Sequence, residues 1–202
     1  MLTIVCKDIA KRYTKEVLFK DFSFTFEGSK KYAILGANSS GKSTLLKIIG
    51  GAISATKGEV IYSPSTPSHE ILSFCSPEMY LLDDFTVQEL FELHFQFKTP
   101  KVPLKEQWQQ CNLTAFLNKR YSELSSGLKN KVKLALALFT EAPALLLDEP
   151  CTNFDASNTK WYQEMIQKHC TDQLIIVASN QESEYIFCSE KLNLNQYKTT
   201  TK

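Results

Sequence analysis

Arginine is nearly absent from this chain of 202 residues: Arg12 and Arg120 are the only two, and the other 21 basic residues are lysines. Bidentate clamps on bases or phosphates are therefore scarce. The 23 basic and 22 acidic residues leave a net charge of +1, with no global field to hold a polyanion. Direct nucleic-acid binding is not expected. No apolar run reaches the roughly 18 residues that cross a bilayer. The opening segment carries Lys7, Asp8, Lys11 and Arg12, so neither a membrane-spanning helix nor a secretory signal is expected.

Paired metal ligands are missing too. Cysteines stand at 6, 75, 111, 151, 170 and 188, never two or three residues apart, which excludes a zinc knuckle and a thioredoxin-type pair and fits buried thiols in a reducing compartment. His69, His94 and His169 are equally scattered. Glycine is short, with seven residues, about half the usual share. Six of the seven fall between Gly28 and Gly58. Glycine is needed where backbone turns with positive φ or approaches a ligand, so this cluster marks where to look for a site.

What is present suits one globular domain, with 43% apolar or aromatic residues and 22% charged. Lys31–Leu35 reads as a short buried strand. Gly36-Ala-Asn-Ser-Ser-Gly-Lys-Ser-Thr44 follows it, and helix-forming Leu45–Ile49 comes next. The pattern G-x-x-x-x-G-K-[ST] binds phosphate in this strand, loop and helix context. Loop N–H groups and the helix N-terminus converge on the anion, Lys42 reaches the β and γ groups, and Ser43 ligates Mg²⁺. Candidate binding residues are Gly36, Asn38, Ser39, Ser40, Gly41, Lys42, Ser43 and Thr44.

A second apolar strand, Ala144–Leu147, ends in Asp148-Glu149-Pro150. Asp148 can hold Mg²⁺ through its water shell, and Glu149 can polarise a water for attack on a γ-phosphate. Between the motifs lies Leu124-Ser-Ser-Gly-Leu128, where Ser125 reads as a helix N-cap and Leu128, Val132, Ala135 and Phe139 share one helical face. The capped helix start is a second anion site. Lys129, Lys131 and Lys133 read as a solvated helix face.

These pieces, in this order and spacing, resemble the ATP-binding cassette (ABC) family over nearly the whole chain. Gly36 to Thr44 looks like Walker A, Leu145 to Glu149 like Walker B, and Leu124 to Leu128 like the LSGGQ signature. The resemblance implies a P-loop NTPase core of the ABC-ATPase α/β class, with an N-terminal antiparallel β layer and a small inserted helical subdomain. It also implies ATP and Mg²⁺ as ligands. Ser125 and Gly127 would contact the γ-phosphate held by a second cassette, and Tyr13 would stack on adenine. Asp155 would correspond to the D-loop, although an ordinary helix-entry acid explains it as well. One ATPase domain is expected over 1–195, with the helical subdomain at about 86–123 and a flexible tail at 196–202. Phe22, Phe24 and Phe26 alternate as in a strand, Glu59–Tyr62 continues the β layer, Leu174–Ala178 reads as buried strand and Lys191–Asn195 as a last one.

Four positions depart from the family pattern. Ser39 replaces a glycine of Walker A, which requires that it avoid strained φ. Ser126 and Leu128 replace the second glycine and the glutamine of the signature. Pro77 falls where the family has its Mg²⁺-contacting glutamine. Asn180 stands at the switch histidine, so the catalytic set becomes Glu149, Lys42 and Asn180. The expected function is the ATP-hydrolysing subunit of an ABC transporter, pairing with a like or unlike cassette and driving a separate membrane permease from the cytoplasmic face. A regulatory cassette with little hydrolysis and a soluble non-transport ATPase remain alternatives.

Overall fold

The computed structural model describes residues 1–14 and 16–198. Its elements in chain order are β1 (Thr3–Tyr13), β2 (Glu16–Glu27), β3 (Lys31–Leu35), α1 (Lys42–Ile49), β4 (Lys57–Ser63), α2 (Ser68–Ile71), β5 (Leu72–Cys75), α3 (Val87–Phe97), α4 (Leu104–Gln110), α5 (Ser126–Phe139), β6 (Ala144–Asp148), α6 (Ala156–His169), β7 (Leu174–Ala178), α7 (Glu182–Tyr185) and β8 (Glu190–Asn193). They divide into two compact units. The first comprises Met1–Phe74, Ala142–Glu149 and Asp172–Lys202, and the second Cys75–Glu141 and Pro150–Thr171. Among the described residues no helix is long and apolar enough to cross a membrane.

The first unit is built on two sheets. An antiparallel sheet runs β2-β1-β4, and a second sheet runs β5-β6-β7-β3-β8, with β6, β7, β3 and β8 paired in parallel. Alternation explains the first sheet: Phe22 and Phe26 are buried while Ser23 and Thr25 face water. Continuous apolar runs explain the second, since every residue of β6 and β7 is buried, as expected for parallel strands covered on both faces. Ile4, Phe19, Phe22, Ile34, Leu45, Leu146 and Ile176 belong to one core cluster. Each such side chain contributes roughly 1.5–3 kcal/mol on burial. That shared core fixes where β3, β6 and β7 end, and the site is built on those ends.

β8 stops two residues earlier than expected because Asn193 turns the chain, its Oδ1 accepting the Asn195 N–H at 3.0 Å. Gln196 and Tyr197, expected to open a frayed tail, lie instead in a 3₁₀ turn, Leu194–Tyr197. The physical cause is packing: Leu194 is buried, and the Tyr197 ring meets Phe22 edge-on with centroids 4.9 Å apart. Of the rest of that expectation, Thr199–Lys202 lie outside the described residues.

In the second unit α3 begins with a capping box. Thr86 Oγ1 accepts the Glu89 N–H at 3.2 Å and the Thr86 N–H donates to Glu89 Oε2 at 2.8 Å. Val87, Leu90 and Phe91 are its buried face. Ser125 caps α5 as expected, its Oγ accepting the Leu128 N–H at 3.3 Å. Asp155 caps α6, accepting from the Asn158 N–H at 2.8 Å and the Ser157 hydroxyl at 2.9 Å. These hydrogen bonds hold its carboxyl below the usual carboxylate range.

The lysines of α5 do not form the solvated face expected of them. Lys131 is 6% exposed, with Nζ donating to Asn158 Oδ1 at 2.8 Å and lying 4.4 Å from the Trp161 ring centroid. Lys133 Nζ donates to the Pro77 carbonyl oxygen. Burial lowers both ammonium pKa values. α5 is wrapped on several sides, and its long apolar stems carry the charges across to acceptors on neighbouring segments. Lys131→Ala is therefore expected to cost about 1–3 kcal/mol, since it removes a charged hydrogen bond and a ring contact. Lys160→Ala, at a side chain 77% exposed, should cost about 0.5 kcal/mol or less. Urea midpoints of the two variants test the difference.

Candidate functional site

β3 delivers the chain at Leu35 into the loop that precedes α1. The loop folds back on itself, with the Ser40 N–H donating to Ala37 O at 3.0 Å, and the Leu45 N–H donating to Gly41 O at 2.8 Å starts the helical ladder. Gly41 has φ +96°, and a Cβ there would lie 2.7 Å from Leu18 Cδ2, so the loop can close onto β2 only with glycine. Ser39 fails the condition set for it. Its φ is +61°, in the left-handed region that side chains other than glycine adopt at a cost.

Lys42 is 5% exposed, and its Nζ donates to Gly36 O at 2.8 Å and to Ala37 O at 3.3 Å. Burial pushes the pKa of this ammonium down, while Glu149 and then Asp148 pull it back up and Lys198 adds a small push down. Ser43, one residue on, donates its hydroxyl to Asp148 Oδ1 at 2.9 Å. Asp148 is the last residue of β6 and is 4% exposed. Glu149 follows with φ +41°, and its N–H donates to Ala178 O at 2.9 Å, which ties the turn after β6 to the end of β7.

A cavity of about 310 Å³ opens over the loop, lined by Asn38 to Thr44 together with Tyr13, Leu18 and Glu149. Its size lies in the range of small-ligand sites. Tyr13 is 52% exposed, and the Lys11 ammonium sits 5.1 Å from its ring centroid. Asn180 reaches the same loop, its Nδ2 donating to Asn38 Oδ1 at 3.1 Å and its Oδ1 accepting the Gly36 N–H at 3.4 Å. Of the candidate residues, Tyr13, Gly36, Asn38 to Thr44, Asp148, Glu149 and Asn180 thus belong to one neighbourhood of the first unit.

Ser125 and Gly127 belong to the second unit and do not line this cavity. A Cβ on Gly127 would fall 2.9 Å from Asn153 O, so α5 approaches the loop after β6 too closely for a side chain there. Asn130 fastens the same contact, its Nδ2 donating to Pro150 O at 2.8 Å and Thr152 O at 3.0 Å. Sequence reasoning missed Asn130, Leu18 and Asn195. Nothing in their local pattern distinguishes them, because each acts through a neighbour distant in the chain.

Among the described residues no group of three or more His, Cys, Asp or Glu side chains could hold a metal ion. The pair expected to hold the ion, the Ser43 hydroxyl and the Asp148 carboxylate, is already in contact. Hard oxygens few in number suit Mg²⁺, which keeps much of its water and takes its remaining ligands from a phosphate substrate. A buried strand, a loop around an inward lysine, and a second strand ending in two carboxylates define a P-loop nucleotide-binding core.

Comparison with known proteins narrows the class. The family model described as ABC transporter matches residues 19–152, and the chain belongs to that family. The cytochrome c biogenesis ATP-binding export protein CcmA of Wolbachia pipientis is 26% identical, over 91% of this chain and 91% of its own. The spermidine/putrescine import ATP-binding protein PotA of Mycoplasma capricolum is 28% identical over 92% of this chain and 56% of its own. The dimeric ATP-binding cassette MJ0796, solved with ADP and Pi, superposes with a TM-score of 0.81 at 20% identity, covering 94% of this chain and 93% of that one. The chain spans only 4% to 56% of the length of several curated relatives it matches.

Ser39 generates a test of the loop's strain. Glycine there would remove a left-handed cost of about 1–2 kcal/mol and add back roughly 0.4–1 kcal/mol of unfolded-chain entropy. Ser39→Gly is expected to raise unfolding stability by about 0.5 kcal/mol, read from urea melts; a fall in stability would contradict the strain.

Proposed function

We propose that this chain binds and hydrolyses Mg-ATP as the cytoplasmic ATP-binding subunit of an ABC transporter. The observation that carries the reading is the convergence of Lys42, the Ser43–Asp148 pair and Glu149 at one cavity over the loop. Tyr13, at the exposed end of that cavity, stacks on the adenine ring. The loop N–H groups of Ser39 and of Gly41 to Thr44 receive the β and γ phosphates, and the Lys42 ammonium neutralises charge as it develops on them. Ser43 and Asp148 would hold Mg²⁺, which supplies charge neutralisation of the phosphate oxygens when bound. The Glu149 carboxylate accepts a proton from the attacking water, and Asn180 donates an amide hydrogen bond near the γ-phosphate, though it cannot become cationic.

Assembly follows the same reading. Ser125 and Gly127, at the capped start of α5, serve the nucleotide of a second cassette, and the likeness to the dimeric cassette MJ0796 supports this arrangement. A separate permease is the proposed third partner. In the second unit a groove lined by Tyr80, Leu82, Leu90, Leu93 and Phe97 leaves Tyr80 86% and Phe97 79% exposed. Aromatics so exposed suit the docking of a permease's cytoplasmic segment. The named relatives that import or export supply the analogy. A slower, regulatory cassette is the second reading, favoured by the uncharged Asn180 and by Pro77, whose carbonyl is taken up by Lys133.

Lys42→Ala should weaken Mg-ATP binding at least about tenfold, the equivalent of losing one charged hydrogen bond. Isothermal titration measures it, and unchanged affinity would remove the P-loop assignment. Glu149→Gln should accumulate an ATP-bound dimer, because the base is lost while the phosphate contacts remain. Size exclusion with and without Mg-ATP reads this outcome, and a variant that stays monomeric at saturating ATP, alone and with a candidate partner cassette, counts against the sandwich.

A further inference from the structure

In the parallel sheet β3 lies between β7 and β8. The loop that leaves β3 is therefore flanked by the chain leaving each neighbour, and each neighbour supplies one asparagine to it. Asn180, just beyond β7, accepts the Gly36 N–H at 3.4 Å, and Asn195, just beyond β8, accepts the next N–H, that of Ala37, at 3.2 Å. Two consecutive backbone donors at the loop entrance are thus held from opposite sides.

The second contact has the larger consequence. The Ala37 N–H and the Gly36 carbonyl belong to the same planar peptide unit, which turns only as a rigid plate. That carbonyl is the nearer of the two that hold the Lys42 ammonium, at 2.8 Å. The plate is gripped at both edges, by Asn195 on its N–H and by Lys42 on its oxygen. If the N–H grip is lost, rotation of the plate swings the oxygen away from the ammonium. We propose that Asn195 is a positioning residue of the nucleotide site, fixing the Gly36–Ala37 peptide and through it the Lys42 ammonium.

Asn195 is itself well anchored. Its N–H donates to Asn193 Oδ1 at 3.0 Å, its carbonyl accepts the Lys198 N–H at 3.3 Å, and its neighbours Leu194 and Tyr197 pack into the first unit's core. These contacts fix the main chain at Asn195 beside the loop, so the side-chain oxygen has only its own length to span to the Ala37 N–H. The approach is close: a Cβ on Gly36 would lie 3.4 Å from Asn195 Oδ1. The same turn brings the charge of Lys198 to bear on Lys42. A strap formed by the chain after β8 therefore sets the poise of the lysine that the proposed function assigns to the phosphates, and the inference rests on that reading.

The test is a double-mutant cycle on the purified chain, with Mg-ATP affinity read by isothermal titration and folding read by thermal melts. Asn195→Leu keeps the side-chain size and removes the acceptor. It should raise Kd about two- to fivefold, the worth of one exposed neutral hydrogen bond, with the loss falling on KM rather than on kcat. Ala37→Pro removes the N–H that Asn195 holds. In that background Asn195→Leu should add no more than about a 1.5-fold change, because the partner is already gone. Equal effects of Asn195→Leu in both backgrounds would overturn the proposal, as would an unchanged Kd in a folded Asn195→Leu protein whose parent binds. If Ala37→Pro does not fold, Asn195→Asp replaces it: with its charge screened at high salt, it should bind like the parent, and an Asp variant as weak as Leu overturns the proposal. A parent chain that binds no Mg-ATP would remove the nucleotide reading itself, and this inference with it.

Discussion

A single buried ammonium organises the first unit's site. Lys42 sits at the start of α1 with its Nζ on the carbonyls of Gly36 and Ala37, so the helix reaches back and closes the loop that precedes it. An uncompensated charge there would be costly, and the two carbonyls together with the nearby carboxylates of Asp148 and Glu149 offset that cost. Everything else at the site is placed relative to this contact. β6 must end where Asp148 meets Ser43, β7 must end where Asn180 meets the loop, and β8 must end where Asn195 does. The parallel sheet delivers all of these termini on the same side, because parallel strands run in one direction and stop together.

Much of this was legible beforehand for a physical reason. β3, β6 and β7 are short apolar runs buried on both faces, and such runs stand out against polar loops whatever packs on them. The glycine loop was legible because its conformation demands particular residues at particular places: Gly41 has no room for a side chain. A cap was legible too, since Ser125 satisfies a donor only three residues away. Each of these signals is local, and local chemistry is what a sequence displays.

The misreadings share the opposite property. Lys131 and Lys133 stand among apolar residues at helical spacing, like any solvated stripe, and only their partners Asn158 and Pro77, 27 and 56 residues distant, reveal that they reach inward. Asn195 lies 158 residues from the N–H it accepts. Tyr197 resembled tail because its partner, Phe22, is at the other end of the chain. Long-range contacts such as these depend on how distant segments finally pack, and that packing is fixed by apolar burial elsewhere.

Strain shows how the two kinds of constraint meet. Ser39, Gly41 and Glu149 all carry positive φ, at 61°, 96° and 41°, and all three line the one cavity. Only the glycine adopts that conformation freely; the other two hold it at a cost of about 1–2 kcal/mol each. Isolated turns with that cost would relax. Here they cannot, because Lys42 closes the loop over Ser39 and the Glu149 N–H is bonded to Ala178 at the end of a fully buried strand. Relaxing Glu149 would break the bond between two strand ends, and relaxing Ser39 would open the loop around a buried charge. The apolar core that made β6 and β7 easy to recognise is therefore also what keeps the loop and the carboxylate in conformations their own residues disfavour.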